Sequence, residues 1–348
     1  ALIIGITRAV RLPMKYTVVT VVCFVLSPLT QELHLLGRID HHMIEYTFVL
    51  GTLLAGIYWF KDTDNKLMAI SLGLILGLST VFHNGLFILQ IPLVITTLIL
   101  WLLNSRGPVH TGTLALSLTV TTVLTLLPSQ AFQEGYFSYI YYSWFHLYIA
   151  SATSITLIFL SRTSVCNKSL VQLLILSVVL VLPVLSEIFS GVRFIGADIS
   201  LYENIDEMAS PLSFVNGTMN DFFITIRKYS ALFLLLPVGM ASLGIWSLSD
   251  RSPFKIFFLI SSLMGLILML SLARLNYYGS YTLYIPLFIG AMMLSEYQSR
   301  YKHLVTAFAT ALVIIAHTPS VWSLFESRPL GGYFDYAYDF DGDFPIEY

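Results

Sequence analysis

Charged residues are scarce in this sequence. Only 11% of its 348 residues are Asp, Glu, Lys or Arg, whereas 56% are hydrophobic, and a soluble domain usually carries about 25% charged residues. Too little polar surface remains to cover a water-exposed globule of this length. Neither the net charge of −2 nor the distribution of Lys and Arg, which form no cluster along the chain, supports nucleic-acid binding.

Cysteines and familiar catalytic motifs are equally sparse. The two cysteines, Cys23 and Cys166, are far apart in the chain and form no CxxC pair, so neither a disulfide framework nor a cysteine-based metal site is expected. The sequence contains no Walker loop, no GxSxG and no HExxH. ATP-driven transport and serine hydrolysis therefore have no support from motifs.

Long apolar runs recur along the whole chain. Each covers roughly 16–22 residues, about the length that crosses a bilayer as a helix, and helices satisfy their backbone polar groups without water. The predicted fold class is all-α, a polytopic transmembrane helical bundle with about 11 spans. The predicted spans cover 15–36, 42–60, 67–82, 84–103, 113–128, 139–160, 170–187, 229–247, 255–272, 278–295 and 303–322.

The placement of Lys and Arg predicts the orientation. One set of connections carries twelve of the 18 basic residues and the other carries six, and the richer set is expected to be cytoplasmic. We therefore predict a multi-pass integral membrane protein with a transmembrane domain over 1–322. A long outer loop covers 187–228, and 323–348 begin an extracytoplasmic region.

A short outer turn holds the most suggestive polar residues. Asp40 and His42 lie two positions apart at the predicted start of a helix, and a carboxylate with an imidazole is a common ligand pair for a divalent metal. Glu45 follows His41 and His42 by one helical turn, so it could orient one of those rings. The alternative is a polar turn at the membrane boundary whose side chains simply contact water.

Other ionisable residues allow two interpretations. Arg274 lies between two apolar spans, where it could bind phosphate oxygens through two nitrogens or extend to the lipid headgroups. His83 and His146 are expected to be hydrogen-bonded within the helix bundle rather than to act as ligands. Acidic residues in the long outer loop could be no more than solvated side chains: Asp198, Glu203, Asp206 and Glu207.

Four segments together resemble the catalytic subunit of oligosaccharyltransferases. Residues 37–45 read GRIDHHMIE and resemble the family motif G-x-x-D-H-H-x-x-E. Residues 204–208, NIDEM, are similar to its T-I-x-E motif, with Asn replacing Thr. Residues 274–278, RLNYY, are similar to R-F-x-Y-Y, and residues 333–338, YFDYAY, are a degenerate form of W-W-D-Y-G-Y. The motifs occur in the family's order.

The predicted topology agrees with this resemblance. The family has thirteen spans with the D-H-H motif between the third and fourth, so the spans predicted here match a chain without the family's first two. The sequence begins at Ala1 rather than Met, and we expect two spans and a carboxylate-bearing outer loop upstream of it.

The resemblance implies an activity and its participants. The family, whose fold is of the GT-C type, moves an oligosaccharide from a polyprenyl-phosphate or polyprenyl-pyrophosphate carrier to an acceptor on the extracytoplasmic or lumenal side. In its N-glycosylating members the acceptor is the Asn of N-x-S/T in a polypeptide. The implied cofactor is Mn²⁺ or Mg²⁺. The implied partners are the polyprenyl-linked oligosaccharide, the acceptor polypeptide and membrane lipids, with no nucleic acid.

The resemblance also assigns residue roles by position in the motifs. Asp40 and Glu207 would be catalytic, and Asp40, His42 and Glu207 would hold the metal. His41 and Glu45 would orient the ligands, and Arg274 would bind the lipid-linked phosphate. Acceptor binding would involve the tail residues Phe334, Asp335 and Tyr336, although this motif departs from the family pattern.

Two alternatives remain open at this stage. The first is a polyprenyl-dependent glycosyltransferase of the same architecture that modifies a lipid or a polysaccharide, because a fold does not identify an acceptor. The second is a non-catalytic membrane partner or a transporter. Transporters place ionisable residues near the membrane midplane, whereas the charges here are predicted at outer boundaries.

Overall fold

All regular structure in the described part of the chain is helical, which confirms the predicted all-α class. The computed structural model describes residues 1–33, 42–104, 108–196, 212, 225–226, 228–297, 303–307, 310–311, 313–314 and 316–317. The α-helices are α1 Leu2–Ala9, α2 Met14–Leu26, α3 Pro28–Leu33, α4 His42–Lys61, α5 Lys66–Phe82, α6 Gln90–Asn104, α7 Thr111–Leu126, α8 Gln130–Gln133, α9 Trp144–Arg162, α10 Asn167–Val181, α11 Leu185–Gly196, α12 Leu236–Asp250, α13 Pro253–Ser271 and α14 Ile285–Tyr297. Short 3₁₀ segments cover Asn84–Leu89, Leu182–Val184, Ala231–Leu235, Ala273–Tyr278 and Ser280–Leu283.

The helices are long and apolar enough for a multi-pass membrane protein. Within the described ranges, six continuous helical stretches reach the length and hydropathy of a membrane span: His42–Lys61, Asn84–Leu103, Trp144–Arg162, Asn167–Gly191, Ala231–Asp250 and Pro253–Ser271. Three shorter apolar helices are α2, α5 and α7. The count of eleven spans remains a prediction. Helix α4 is the most deeply buried of the six long stretches.

The predicted span 15–36 is interrupted. Helix α2 ends at Leu26, Ser27 has an extended backbone (φ −63°, ψ 126°), and α3 starts afresh at Pro28. Proline clashes with a helical conformation of the residue before it, so the helix must end at Ser27. The apolar composition of 15–36 concealed this break.

The predicted span 139–160 begins several residues later than expected. The helix starts at Trp144, because the Ser143 side chain accepts a hydrogen bond from the backbone of the first turn while the Ser143 amide donates one to Nδ1 of His146. This reciprocal cap satisfies amide groups that a helix end leaves unpaired. The preceding aromatic residues 136–142 therefore belong to a loop rather than to the membrane helix.

The chain divides into two compact units that interleave along the sequence. The first contains Ala1–Arg11, Asp40–Ala209 and Gly244–Gly279, and the second contains Leu12–Ile39, Ser210–Leu243 and Ser280–Tyr348. Helices α1, α4 to α7, α9 and α13 pack together in the first unit. The polar cluster described below lies entirely within that unit.

Small residues allow the closest helix contact of the first unit. Helices α5 and α7 pack along their length, and a side chain at Gly73 would lie 2.7 Å from the Leu114 carbonyl oxygen. One at Gly77 would lie 2.7 Å from Cβ of Thr121. Close approach of backbones at small residues is the usual basis of helix association in lipid. This packing fixes the end of α5, where His83 follows.

Candidate functional site

Glu45 is the centre of a buried polar cluster. It lies in the first turn of α4, is fully buried, and its Oε2 is 2.8 Å from Nδ1 of His42. Residues three apart on a helix share one face, so the pair forms as soon as α4 does. A carboxylate that is buried away from water is costly unless polar groups surround it, which makes Glu45 a candidate functional residue. The contact is the one expected if Glu45 orients the ring of His42.

His83 lies beside the other oxygen of the same carboxylate. It follows the last residue of α5, and its Nδ1 lies 3.0 Å from Oε1 of Glu45. The two imidazoles therefore flank one carboxylate, each through Nδ1. The sequence predicts that His83 is hydrogen-bonded inside the bundle but does not identify the group that it contacts. A histidine at the end of an apolar helix was the available signal, and it could not identify Glu45.

The R-L-N-Y-Y segment completes the cluster. Tyr277 is buried and hydrogen-bonds the Glu45 side chain, and its ring centroid lies 5.6 Å from that of His42. The Tyr278 hydroxyl donates to the carbonyl oxygen of Gly85, two residues after His83. Tyr277 thus contacts Glu45, and Tyr278 contacts the turn that follows His83. The two segments that resemble separate family motifs meet here.

Two glycines bring the tyrosine segment against α13. Any side chain at Gly265 would collide with the Tyr278 carbonyl, and one at Gly279 would collide with the backbone of Gly265. Only hydrogen atoms at both positions permit this backbone contact. The 3₁₀ turn Ala273–Tyr278 is therefore positioned by the close approach of two backbones. Since Tyr277 and Tyr278 are in that turn, the glycines place their rings.

The segment that leads into α9 supports the turn that carries His83. His146 donates from Nε2 to the carbonyl oxygen of Asn84 at 3.1 Å, and the Asn84 side chain donates to the carbonyl oxygen of Ile140. The Tyr142 hydroxyl lies 2.6 Å from Oγ1 of Thr125, and burial raises the pKa of this tyrosine. His146 is thus bonded within the bundle, as expected, and acts on the backbone beside His83.

The structure brings only part of the predicted site together. His42 and Glu45 are in contact, and Arg274 lies in the same 3₁₀ turn as the two tyrosines, with its side chain outside the described residues. The remaining predicted residues also lie outside the described ranges: Asp40, His41, Glu207, Phe334, Asp335 and Tyr336. Over the described positions, no three His, Cys, Asp or Glu side chains converge to hold a metal ion.

The chemistry of the described donors fits one ligand position of a divalent metal site. An imidazole whose Nδ1–H is bonded to a carboxylate presents Nε2 as the coordinating nitrogen. His42 has that environment through Glu45. The same carboxylate contacts both histidines through Nδ1, so Glu45 itself serves as an orienting group in this arrangement.

The fold is that of the membrane region of an archaeal oligosaccharyltransferase. AglB from Archaeoglobus fulgidus, in complex with an inhibitory peptide and a dolichol-phosphate, superposes with a TM-score of 0.75 at 16% identity. That comparison covers 95% of this chain and 43% of the archaeal chain. The apo form of the Archaeoglobus fulgidus enzyme gives 0.72 at 16% identity, covering 99% and 46%.

A third structure of the same archaeal enzyme agrees. The form tethered to an acceptor peptide with an NVT sequon gives a TM-score of 0.67 at 17% identity, covering 92% of this chain and 41% of that one. The chain therefore spans less than half the length of the enzyme it matches. No protein-family profile and no curated protein matches the sequence. At this level of identity the likeness establishes the fold.

Proposed function

We propose that the protein containing this chain is a metal-dependent membrane glycosyltransferase of the oligosaccharyltransferase type. It would transfer an oligosaccharide from a polyprenyl-phosphate or polyprenyl-pyrophosphate carrier to the Asn of an N-x-S/T sequence in a polypeptide. The reaction would take place on the extracytoplasmic or lumenal side of the membrane, with the chain crossing it about 11 times.

The observation that supports this proposal is the meeting of two motif segments in one buried cluster. His42 and Glu45 come from the D-H-H-x-x-E segment, and Tyr277 comes from the R-L-N-Y-Y segment at the other end of the chain. In the resemblance, the first segment holds the metal and the second holds the carrier phosphate. A metal and a phosphate must be adjacent for such a transfer, and the packing puts their motifs side by side.

A divalent cation fits this proposal. Asp40, His42 and Glu207 would hold it, with Glu45 fixing the ring of His42 through the 2.8 Å contact. When bound, Mn²⁺ or Mg²⁺ would stabilise negative charge on the carrier phosphate as the glycosidic bond breaks. Oxygen ligands with one imidazole suit either ion.

The chain's own residues would then orient the two reactants. The bond between the anomeric carbon and the phosphate oxygen would break, and a bond between that carbon and the acceptor amide nitrogen would form while the amide gives one proton to a carboxylate oxygen of Asp40 or Glu207. Arg274 would stabilise the departing phosphate through fixed N–H donors, a contribution that grows with the developing charge. Asp40 and Glu207 would orient the weakly nucleophilic amide and accept its hydrogen bonds.

A transfer assay on the full-length protein tests this function. The donor is a polyprenyl-linked oligosaccharide and the acceptor a fluorescent N-x-T peptide, with a Q-x-T peptide as the matched negative. We expect transfer to the first peptide only, complete loss with EDTA, and recovery on adding Mn²⁺ or Mg²⁺. Activity in the presence of the chelator would contradict the role of the metal.

Two substitutions assign the roles. Asp40→Ala should abolish transfer, and Arg274→Gln should lower kcat/KM by about 100-fold or more, as removal of a preorganised donor to developing charge does. Arg251→Gln is the control, because Arg251 belongs to the connections predicted to be cytoplasmic. Transfer to a lipid or polysaccharide but to no peptide would support the alternative acceptor class.

A further inference from the structure

We propose that a buried water molecule binds at the break between α2 and α3, where it joins the side chains of Ser27, Tyr284 and His317. The three residues come from distant parts of the chain, and all belong to the second compact unit. None of them lies in the four motif segments. The inference therefore concerns a site that is separate from the proposed function and does not depend on it.

Three buried polar atoms identify the site. Ser27, Tyr284 and His317 are each no more than 1% exposed. No group in the described part of the chain makes a hydrogen bond to Oγ of Ser27, to the hydroxyl of Tyr284 or to Nε2 of His317. An unpaired polar group is costly when it is buried, and ordered water commonly pairs with such groups where protein atoms do not. Three of them together point to a shared polar ligand.

The three groups are neighbours. The ring centroids of Tyr284 and His317 are 6.4 Å apart, and Ser27 is the hydroxyl side chain next to the hydroxyl of Tyr284. The carbonyl of Cys23, one helical turn before Ser27, lies beside the ring of His317. These groups are close but do not complete direct hydrogen bonds with the three unpaired atoms. Water commonly bridges polar groups in such arrangements.

The protonation of His317 shows that the bridging group must be a donor. Nδ1 of this ring lies 2.9 Å from the carbonyl oxygen of Val313, and a carbonyl oxygen only accepts, so Nδ1 carries the proton. With one proton on the ring, Nε2 is an acceptor. The Cys23 carbonyl beside the ring is an acceptor too, so the two cannot bond each other. A water molecule can donate one hydrogen to each of them.

The break in α2 explains why the Cys23 carbonyl is available. The helix ends at Leu26, and the last four carbonyls of a helix have no partner within it. Cys23 is the first of those four residues. The amide of Ser27 would bond the Cys23 carbonyl in a continuous helix, but Pro28 forces Ser27 into an extended conformation. Water inserts at such interruptions of helical hydrogen bonding, so here it replaces the lost backbone bond.

The hydroxyl groups complete the environment of the water. Its oxygen would accept from the hydroxyls of Tyr284 and Ser27, while its hydrogens are donated to His317 and to the Cys23 carbonyl. Every polar atom left unpaired in this group then has a partner of the right kind. A buried water typically makes about 2–4 hydrogen bonds, and these contacts are within that range.

A cryo-EM map of the full-length protein in lipid nanodiscs, at a resolution that shows ordered water, tests the site directly. We expect density within hydrogen-bond distance of Nε2 of His317 and of the Tyr284 hydroxyl. Direct hydrogen bonds among these groups, without density between them, would overturn the inference. Nitrogen NMR of His317 should show a proton on Nδ1 alone. A proton on both nitrogens would also overturn it, because Nε2 could then donate to the Cys23 carbonyl without water.

The variant Tyr284→Phe gives results of opposite sign for a hydrated and a dry site. If the hydroxyl bonds a water, its removal leaves the water with one partner fewer, and the unfolding temperature should fall by about 2 °C or more. If the hydroxyl has no partner, its removal relieves a desolvation cost, and the temperature should rise. A rise or no change would refute the inference. Tyr297→Phe on α14 is the control, because that side chain is 86% exposed.

A double-mutant cycle tests whether one water is shared. Since both hydroxyls bind the same molecule, Ser27→Ala and Tyr284→Phe together should lower the unfolding temperature by less than the sum of their separate effects. Ser295→Ala replaces Ser27→Ala in the control cycle, where the effects should add, because the Ser295 hydroxyl bonds the carbonyl of Met292 in its own helix. Additive losses in the first cycle would contradict a shared water. The map and the NMR measurement use the unmodified protein, so they decide the question even if a variant does not fold.

Discussion

Replacing Glu45 by Gln should separate the orientation of His42 from the stability of the fold. The two side chains have nearly the same shape, but the amide offers one oxygen where the carboxylate offers two. Nδ1 of His42 lies 2.8 Å from one oxygen of Glu45, and Nδ1 of His83 lies 3.0 Å from the other. Gln has one oxygen and one NH₂ group in these two places, so Nδ1 of His42 keeps an acceptor only when the amide oxygen takes the position of Oε2.

The size of the effect follows from the bond that is lost. A hydrogen bond to a charged group contributes about 1.5–3 kcal/mol, and about 1.4 kcal/mol corresponds to a factor of ten. We therefore expect the Mn²⁺ concentration for half-maximal transfer to rise by about 10–100-fold. Unfolding temperature should change little, since replacing a buried charge by a neutral isostere also removes a desolvation cost.

The measurement is oligosaccharide transfer to a fluorescent sequon peptide at a series of Mn²⁺ concentrations. Glu187→Gln is the matched control, because that carboxylate accepts from the backbone of Tyr139 at 3.0 Å, in the loop before α9. If Glu45→Gln reached half-maximal transfer at the same Mn²⁺ concentration as the unmodified protein, the reasoning would be refuted. A shift of the same size in Glu187→Gln would refute it too, because the effect would then be general.

Three further predictions concern packing, orientation and the reactivity of Cys166. Gly265→Val should destabilise the fold by about 1–3 kcal/mol and reduce transfer at least about 10-fold, because it displaces the tyrosine turn. Gly51→Val should be tolerated, since nothing lies within 4 Å of a side chain there. Equal unfolding temperatures and activities for the two variants would contradict this prediction. Cys166 is exposed and Cys23 is buried, and Cys166 lies in a connection predicted to be cytoplasmic. In cells whose other cysteines are inaccessible, a membrane-impermeant maleimide should therefore label Cys166 only after permeabilisation. Labelling of intact cells would reverse the predicted orientation. Hydrogen bonds from Ser169 lower the pKa of the Cys166 thiol, so its alkylation should reach half-maximal rate at a lower pH than in Ser169→Ala, and coincident pH profiles would contradict that cause.

The local part of the candidate site was predictable because it depends on helix periodicity alone. The sequence places Glu45 three residues after His42, and any helix over that segment puts the two side chains on one face. The same spacing places His41 one helical turn from Glu45, so the sequence predicts a histidine partner and the structure shows that His42 makes the contact. The helical class of the fold was predictable for a comparable reason, since apolar runs of this length satisfy their backbone groups only as helices.

Helix ends were less predictable than helix positions. The apolar run 15–36 hides a break at Pro28, and the aromatic residues before Trp144 are apolar without being helical. In both cases one residue decides the boundary, through a steric clash at proline or through a side-chain cap at Ser143. Hydropathy averaged over a span does not respond to a single residue, so it missed both.

The sequence by itself determined that this chain forms long apolar helices and that Glu45 lies one helical turn from both His41 and His42, because both follow from the periodicity and composition of short segments. Only the tertiary structure decided that His83 and Tyr277 share the same carboxylate. Those contacts join distant segments, and they depend on how closely α5 packs on α7 and how closely Gly265 approaches Gly279. Spacing along the chain carries no information about such approaches, because van der Waals contact between separate helices sets them.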